Sequence, residues 1–395
     1  MTENFKASNR RAVLDFIRTR YPISRSQLSR ISGLNKATVS GFVTDFLRQG
    51  VVAETGSGVA AAGRKPVLLS FVADSAYVIG LLLNVRSVRM VITDLEGTIV
   101  WQTREPLGDE GASSTLDRIA IIIEDGVRRV GIPFSSIVAL GIGVPGLVDF
   151  QAGVIVQTPN MGLSSVSLKQ WLEMRFHIPV FVDNAANVSA VGEKLFGAGR
   201  HYEHFVYVSV STGIGGGVVM NGQLQRGAFG FAGEFGHMVV EPHGLSCRCG
   251  GQGCWEMYGS LKALYRQTAR HIGEDPAAYR PDILVTVVDA AARGETWAIE
   301  GLNYIGFYLG VGVASIVSAF NPHAVLIGNE IAIGAKWIMP IIETVVQTRC
   351  SLSIIKDLTL LMLEYDDNKA VVGAAGMGID GFLDQLTHRK IRRWC

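Results

Sequence analysis

The chain has 395 residues, 48% of them hydrophobic and 18% charged, with 46 glycines. That length allows two or three domains with sizeable cores, and the glycine content points to an α/β protein and away from a disordered chain. No run of eighteen or more apolar residues marks a membrane span, and MTENFKASNRRAVLDF lacks the apolar core of a secretory leader, so a soluble cytoplasmic protein is expected. The net charge of +1 conceals a division. Residues 1–72 hold eleven Lys/Arg against four Asp/Glu, or +7, and the remainder holds 25 against 31, or −6. A basic head on an acidic body reads as a nucleic-acid contact at the N-terminus, with a plain solvated face as the alternative.

In chain order, residues 9–21 (NRRAVLDFIRTRY) predict a helix with Val13, Ile17 and Tyr21 along one stripe. Ser24 or Ser26 can cap a second helix that buries Leu28 and Ile31. Gly33 and Leu34 make the turn, and Asn35 caps a third helix whose apolar set is Val39, Phe42, Val43, Phe46 and Leu47. Its other face shows Lys36, Thr38, Ser40 and Gly41, a short polar start of the kind that enters a major groove. VVAETG and GVAAAGRKPVLLSF read as a strand, a tip and a return strand. Residues 1–72 are therefore expected to form a winged helix-turn-helix domain, against the alternative of a three-helix protein-interaction module. Candidate contacts to double-stranded operator DNA are Arg25, Ser26, Lys36, Thr38, Ser40, Arg64 and Lys65; Arg64 and Lys65 on a slim tip suit a minor groove or phosphates. Lys36, Thr38 and Ser40 read bases or touch phosphates only.

From Ala76 the pattern changes. YVIGLLLNV, VRMVITDL and GTIVWQTR predict successive strands, and TLDRIAIIIEDGVRRVG an amphipathic helix. SIVALGIGVPGLVD predicts a strand closing in a Gly/Pro loop. HIPVFVDNAANVSAVGEKLFG predicts a strand running into a helix, and HFVYVSVSTGIGGGVVMNGQL a glycine-rich hairpin. The alternation implies an α/β body. The apolar helix YIGFYLGVGVASIVSAF serves core packing or a subunit contact. Three of the five cysteines, Cys247, Cys249 and Cys254, fall within eight residues, which reads as a metal site better than a disulfide framework, with three reduced thiols as the alternative. His237 and His243 are the candidate fourth ligands. Cys350 and Cys395 read as a core thiol and a tail thiol.

The motifs GVPGLVD, TPN, STGIGGG, GAFGFAGEFGH, CRCGGQGCWEMYGS, FNPHAVLIGN and VVGAAGMG follow one another in an order that resembles the ROK family of repressors and sugar kinases. The head and its GRKP tip resemble the repressor branch. The resemblance implies an actin-like ATPase fold of two lobes over residues 73–395: a small lobe of about 73–183 plus the C-terminal segment, and a large lobe of about 184–371. It implies that His237, Cys247, Cys249 and Cys254, spaced H-x9-C-x-C-x4-C, hold a structural zinc ion, a closed shell suited to folding a loop. It also implies that Asn160, Asn184, Glu234, His237 and Glu256 bind a monosaccharide. Carboxylates and amides suit adjacent hydroxyls, and a site built for hydroxyls rejects analogues lacking them. A homodimer, or a dimer of dimers, is implied as well.

Two departures separate the chain from the family's kinases. Their general base is an aspartate in a motif of the form E-N-D-A-N; here Asp183-Asn184-Ala185-Ala186-Asn187 puts Ala185 in that place, and loss of a general base removes roughly a hundred- to ten-thousand-fold in rate. Their D-x-G-G-T phosphate turn is replaced by Leu82 with Asn84, Val85 and Arg86. A sugar cleft without its base is a sensor, so a sugar-responsive repressor that is not an enzyme is expected. The alternatives are a sugar kinase with an appended DNA-binding head and a repressor switched by a protein partner.

Overall fold

The computed structural model describes residues 2–57, 65–85, 87–107, 111–158, 161–366 and 368–388. The first helix, α1 (Thr2–Arg20), is followed by β1 (Ile23–Ser24), α2 (Arg25–Ser32), α3 (Lys36–Gln49), β2 (Val52–Ser57) and β3 (Val67–Phe71). Strand β3 pairs antiparallel with both β1 and β2. The three helices close over Val13, Leu14, Ile17, Leu28, Val39, Phe42, Val43 and Phe46, all buried. Ser24 caps α2 in a capping box: its hydroxyl accepts from Gln27 N while Gln27 Oε1 accepts from Ser24 N at 2.8 Å. Asn35 caps α3, its Oδ1 accepting from Thr38 N at 2.8 Å. Helix α1 begins seven residues earlier than its apolar stripe suggests and stops short of Tyr21. That residue, expected on the stripe, is 43% exposed, because the proline after it disfavours helical backbone at the residue before.

The body comprises two lobes built on one connectivity. In the first, β4 (Tyr77–Leu83), β5 (Ser87–Asp94) and β6 (Ile99–Pro106) form an antiparallel meander. Helix α4 (Ala112–Val130) leads to β7 (Ile137–Val144), parallel to β4. A small sheet of β8 (Leu147–Asp149), β9 (Val154–Thr158) and β10 (Leu163–Val166) and helix α5 (Leu168–Phe176) precede β11 (Val180–Asn184), parallel to β7. Helix α6 (Ala185–Phe196) begins where β11 ends. In the second lobe, β12 (Phe205–Val210), β13 (Ile214–Met220) and β14 (Gln223–Gln225) form the meander. Helices α7 (Glu256–Gly259), α8 (Leu261–Thr268), α9 (Ile283–Ala292) and α10 (Thr296–Phe320) follow. Strand β15 (Ala324–Gly328), helices α11 (Ala335–Arg349) and α12 (Leu352–Ile355) and strand β16 (Thr359–Met362) complete it, with β12, β15 and β16 parallel. The chain then returns to the first lobe as α13 (Lys369–His388). This duplicated α/β architecture is that of the actin-like ATPase fold.

Helix α10 is long and apolar enough to cross a membrane by length and composition, but its glycines mark it as a core helix. Gly306, Gly310 and Gly312 stand where a β-carbon would meet Ile341, Val345 and the Trp255 ring at 2.9, 2.6 and 2.0 Å. Helix α13 is held even more closely. A β-carbon on Gly373 would lie 2.1 Å from the carbonyl oxygen of Val188 in α6, and one on Gly141 of β7 would lie 1.8 Å from the carbonyl oxygen of Ala374. Backbone therefore touches backbone on two sides of α13, where no side chain can yield.

Gly41, in α3, has nothing within 4 Å of a β-carbon position. Thermal melts should separate the two kinds of glycine. Gly373→Ala overpacks a rigid contact and is expected to destabilise by about 1–3 kcal/mol, whereas Gly41→Ala is expected to stabilise by about 0.5–1 kcal/mol. A Gly373→Ala protein melting with the wild type would contradict the crossing described.

Candidate functional site

The glycine-rich hairpin places the site. Gly215, Gly216 and Gly217 of β13 run between the first turns of α6 and the 233–236 segment. Added β-carbons would meet Ala186 Cβ at 3.1 Å, the Phe235 ring at 2.2 Å and Ala190 Cβ at 2.5 Å. Gly233 and Gly236 in turn press on the carbonyl oxygens of Gly216 and Ile214, each at 2.2 Å from the would-be β-carbon. The sequence therefore needs glycine here so that α6, carrying Asn184 at its start, and the segment carrying Glu234 and His237 can share one strand.

Glu234, His237 and Glu256 are brought together. His237 Nε2 lies 3.9 Å from Glu234 Oε2, and His237 Nδ1 lies 4.0 Å from Glu256 Oε1. All three side chains keep a quarter or more of their surface exposed, so they can meet a solute. Burial raises the Glu234 carboxyl above its ordinary value; Glu256 adds to that, and His237 opposes it. Asn184 lies at the N-cap of α6, where its Oδ1 accepts from Ala186 N at 2.7 Å and its Nδ2 donates to Gly146 O at 2.8 Å. Its amide thus ties the helix start to the 144–146 loop, leaving one donor and one lone pair for a ligand. Asn160 lies outside the described residues.

Beside this set, His237, Cys247, Cys249 and Cys254 offer four ligand atoms within 4.8 Å of one another. Cys249 Sγ is 3.5 Å from Cys254 Sγ, and Cys247 Sγ is 3.8 Å from His237 Nδ1. A tetrahedral ion with metal–sulfur bonds of about 2.3 Å requires edges of about 3.8 Å, so the four residues fit a metal such as zinc. The donor chemistry agrees. Burial, with the Glu256 carboxylate nearby, pushes the Cys247 thiol up to about 12; burial also raises Cys254, and the Gly251 amide lowers Cys249. Three thiolates beside two carboxylates need a cation to form together. His237 presents Nδ1 to this cluster and Nε2 to Glu234, so a metal on Nδ1 would fix the tautomer and leave Nε2–H as a donor on the Glu234 side. His243, the rival ligand, is not among the four.

The loop is braced from below by residues its spacing did not flag. Trp255 is fully buried and donates from Nε1 to Tyr308 O at 2.7 Å. Tyr258 Oη accepts from Leu245 N at 2.7 Å, and Tyr308 Oη donates to Glu241 at 3.0 Å. The sequence signal for Trp255 is indirect: Gly312 of α10, where a β-carbon would strike its ring.

The places where the chain departs from a kinase are adjacent. A β-carbon on Gly143 of β7 would lie 2.9 Å from Leu82 Cδ1 and 3.6 Å from Ala185 Cα. Leu82 is buried. Leu82 and the backbone of Ala185 thus both pack near Gly143, at the two positions where carboxylates were expected of a kinase. Asp183, two residues earlier, is 1% exposed. Its Oδ1 accepts from Asn184 N at 2.7 Å and Asn187 Nδ2 at 2.8 Å, and its Oδ2 pairs with Arg226 Nε at 2.8 Å. The Arg226 guanidinium lies 3.6 Å above the Phe150 ring. A carboxylate held by three donors is poorly placed to accept a proton from a ligand. The Arg226–Asp183 pair, joining the 226–236 segment to the end of β11, was not foreseen; nothing in the spacing connects residues 43 positions apart.

Between the lobes a cavity of about 440 Å³ is lined by Asn84, Val85, Arg89, Ser211, Thr212 and Glu330, among others. It does not include Glu234, His237 or Glu256. The Ser211 hydroxyl, at the start of the STGIGGG stretch, donates to Glu330.

In the head, Lys36 is exposed at the first position of α3, and Thr38 and Ser40 are half-buried one turn on. Ser26 is exposed, its Oγ 3.0 Å from Ser24 Oγ. Arg25 pairs with Glu54 of β2 at 2.9 Å, with both side chains partly exposed; an exposed pair of this kind contributes about 0–1 kcal/mol and yields readily to a phosphate. Lys65 is exposed; Arg64 and Arg86 lie outside the described residues.

A model of the ROK family matches residues 78–380. The xylose repressor of Bacillus spizizenii is 35% identical over 379 residues, 96% of this chain and 97% of its own. A crystal structure of a ROK family transcriptional regulator, described as a homologue of the E. coli MLC protein, superposes with a TM-score of 0.86 at 27% identity over 98% of both chains. A ROK family glucokinase from Streptomyces griseus, solved with glucose and AMPPNP, superposes with a TM-score of 0.66 at 28% identity; it is covered completely but accounts for 78% of this chain.

Removing the metal provides the check on the cluster. The purified chain is expected to carry one zinc ion, measured by atomic emission. Chelation or Cys254→Ser should lower the thermal midpoint and weaken sugar binding together, because His237 serves both sets. A metal-free chain that melts and binds unchanged would contradict this.

Proposed function

The chain belongs to the ROK family, and we propose that it is a sugar-responsive, DNA-binding transcriptional repressor of that family with no kinase activity. The observation that carries the reading is that Leu82 and Ala185, both packed near Gly143, stand where the family's kinases carry carboxylates, while Glu234, His237 and Glu256 lie together. With alanine at position 185, where the family's kinases carry their general base, the cleft is suited to holding a sugar and not to transferring phosphate. The similarity to the xylose repressor over nearly the whole chain supports the repressor role, and makes D-xylose the first monosaccharide to test. We take residues 1–72 as a winged helix-turn-helix domain, residues 73–395 as the sugar-binding body, and zinc as a structural ion that shapes the pocket wall. A cytoplasmic location goes with this role.

The mechanism is a population shift. Sugar binds at Glu234, His237 and Glu256, with Asn184 at the start of α6 completing the set, and favours one arrangement of the lobes. In a homodimer, two copies of α3 then cease to match half-sites about one helical turn apart. A sugar that prefers one state tenfold supplies about 1.4 kcal/mol to that shift. Lys36, Thr38, Ser40, Ser26, Arg25, Arg64 and Lys65 form the DNA-facing surface.

Two measurements test this. With ATP, magnesium and a monosaccharide panel, sugar phosphate should form no faster than without protein; turnover at the 1–100 per second usual for kinases would overturn the reading. Lys36→Met and Lys65→Met should each weaken operator binding and lower the slope of log affinity against log salt by about one if they meet phosphates. A variant that binds DNA as the wild type does removes that residue from the interface.

A further inference from the structure

We infer that Arg11 is a positioning residue through which the state of the sugar cleft sets the placement of the DNA-reading head; the inference rests on the sugar-responsive reading above. The Arg11 side chain is 17% exposed and engages all three guanidinium nitrogens. Nη1 donates to the main-chain oxygen of Asp380 at 3.1 Å and to Asp384 Oδ1 at 2.5 Å. Nη2 donates to Asp380 Oδ1 at 2.5 Å, and Nε to Asp15 Oδ2 at 2.9 Å. The first three bonds cross from α1 to α13, between residues about 370 positions apart.

What lies on either side gives the contact its meaning. The neighbouring Arg10, 6% exposed, turns the other way, pairing with Asp45 of α3 at 3.1 Å and lying over the Phe46 ring. Consecutive arginines thus tie one helix to the recognition helix and to the body. At its other end α13 meets α6 without side chains between them, at Gly373 and Val188 O, and α6 starts at Asn184 in the cleft. Val13, Leu14 and Ile17 of α1, Ile379, Phe382 and Leu383 of α13, and Val188 of α6 belong to one buried apolar cluster. A displacement of α6 when a sugar binds is therefore carried by rigid pieces to α1.

The apolar contact alone would not transmit it. Hydrophobic burial is non-directional, so α1 could rotate or slide on α13 with little change in buried area. A planar guanidinium forked over two carboxylates has one register. A partly buried ion pair of this kind contributes little net stability but can specify geometry. Loss of the clamp should accordingly uncouple the head while leaving both parts folded.

The test uses the full chain with D-xylose and a duplex selected by the wild-type protein from a randomised pool. Asp380 and Asp384 are about half exposed, so the double variant Asp380→Asn/Asp384→Asn keeps size and fold; Arg11→Lys keeps the charge but loses the fork. In the wild type, saturating xylose should change duplex affinity by about tenfold or more. In the double variant that ratio should fall below about threefold, with xylose affinity by calorimetry within about twofold of wild type, and Arg11→Lys should lie between. Variants that keep the wild-type ratio overturn the role of Arg11 and leave the repressor reading standing. A wild-type ratio of one overturns both. If the double variant loses xylose binding itself, the clamp is structural and the inference fails.

Discussion

The rest of the molecule depends on the contact between helices α6 and α13, where the glycine at 373 brings backbone against backbone. Side-chain interfaces accommodate a methyl group by rotating; this one has nothing to rotate, since the atom in the way is a carbonyl oxygen. The same helix is jammed onto β4 and β7, with Gly80 and Gly141 approaching its carbonyl oxygens. One C-terminal helix thereby fixes the start of α6, the first-lobe sheet and, through its far end, the head. Packing at native density transmits displacement because it cannot absorb it, and here the density is set by glycine.

The glycine-rich hairpin brings distant segments into register: α6 and the 233–236 segment pack on one strand, and Glu234, His237 and Glu256 come together beside Cys247, Cys249 and Cys254. Leu82 and Ala185, 103 residues apart, both pack near Gly143.

How much of this was legible follows from the range of each interaction. That Cys247, Cys249 and Cys254 lie close together could be read because they share one short loop, whereas spacing alone did not choose between His237 and His243 as their neighbour. The caps at Ser24 and Asn35 could be read because a cap bonds two or three residues ahead. Tyr21 was misplaced because helical periodicity was extended across a residue that precedes proline. Ala185 and Leu82 were each visible as a missing carboxylate, but their shared neighbour, Gly143, was not, since it depends on how β4, β7 and α6 pack. The contacts of Arg226 with Asp183 and of Arg11 with Asp380 and Asp384 left no local pattern at all: an arginine looks the same in sequence whether solvated or clamped. Trp255 left only an indirect mark, Gly312 of α10, which makes room for its ring.

Gly41 has a different consequence. A helix position whose side chain would meet nothing of its own chain, between the exposed Ala37 and Thr44, forms a shallow notch on the solvent side of α3. Whatever surface lies against that helix can approach it there by a methyl radius more than it could over alanine. The depth at which such a surface could seat on α3 is thus set by a missing methyl as well as by the side chains displayed there.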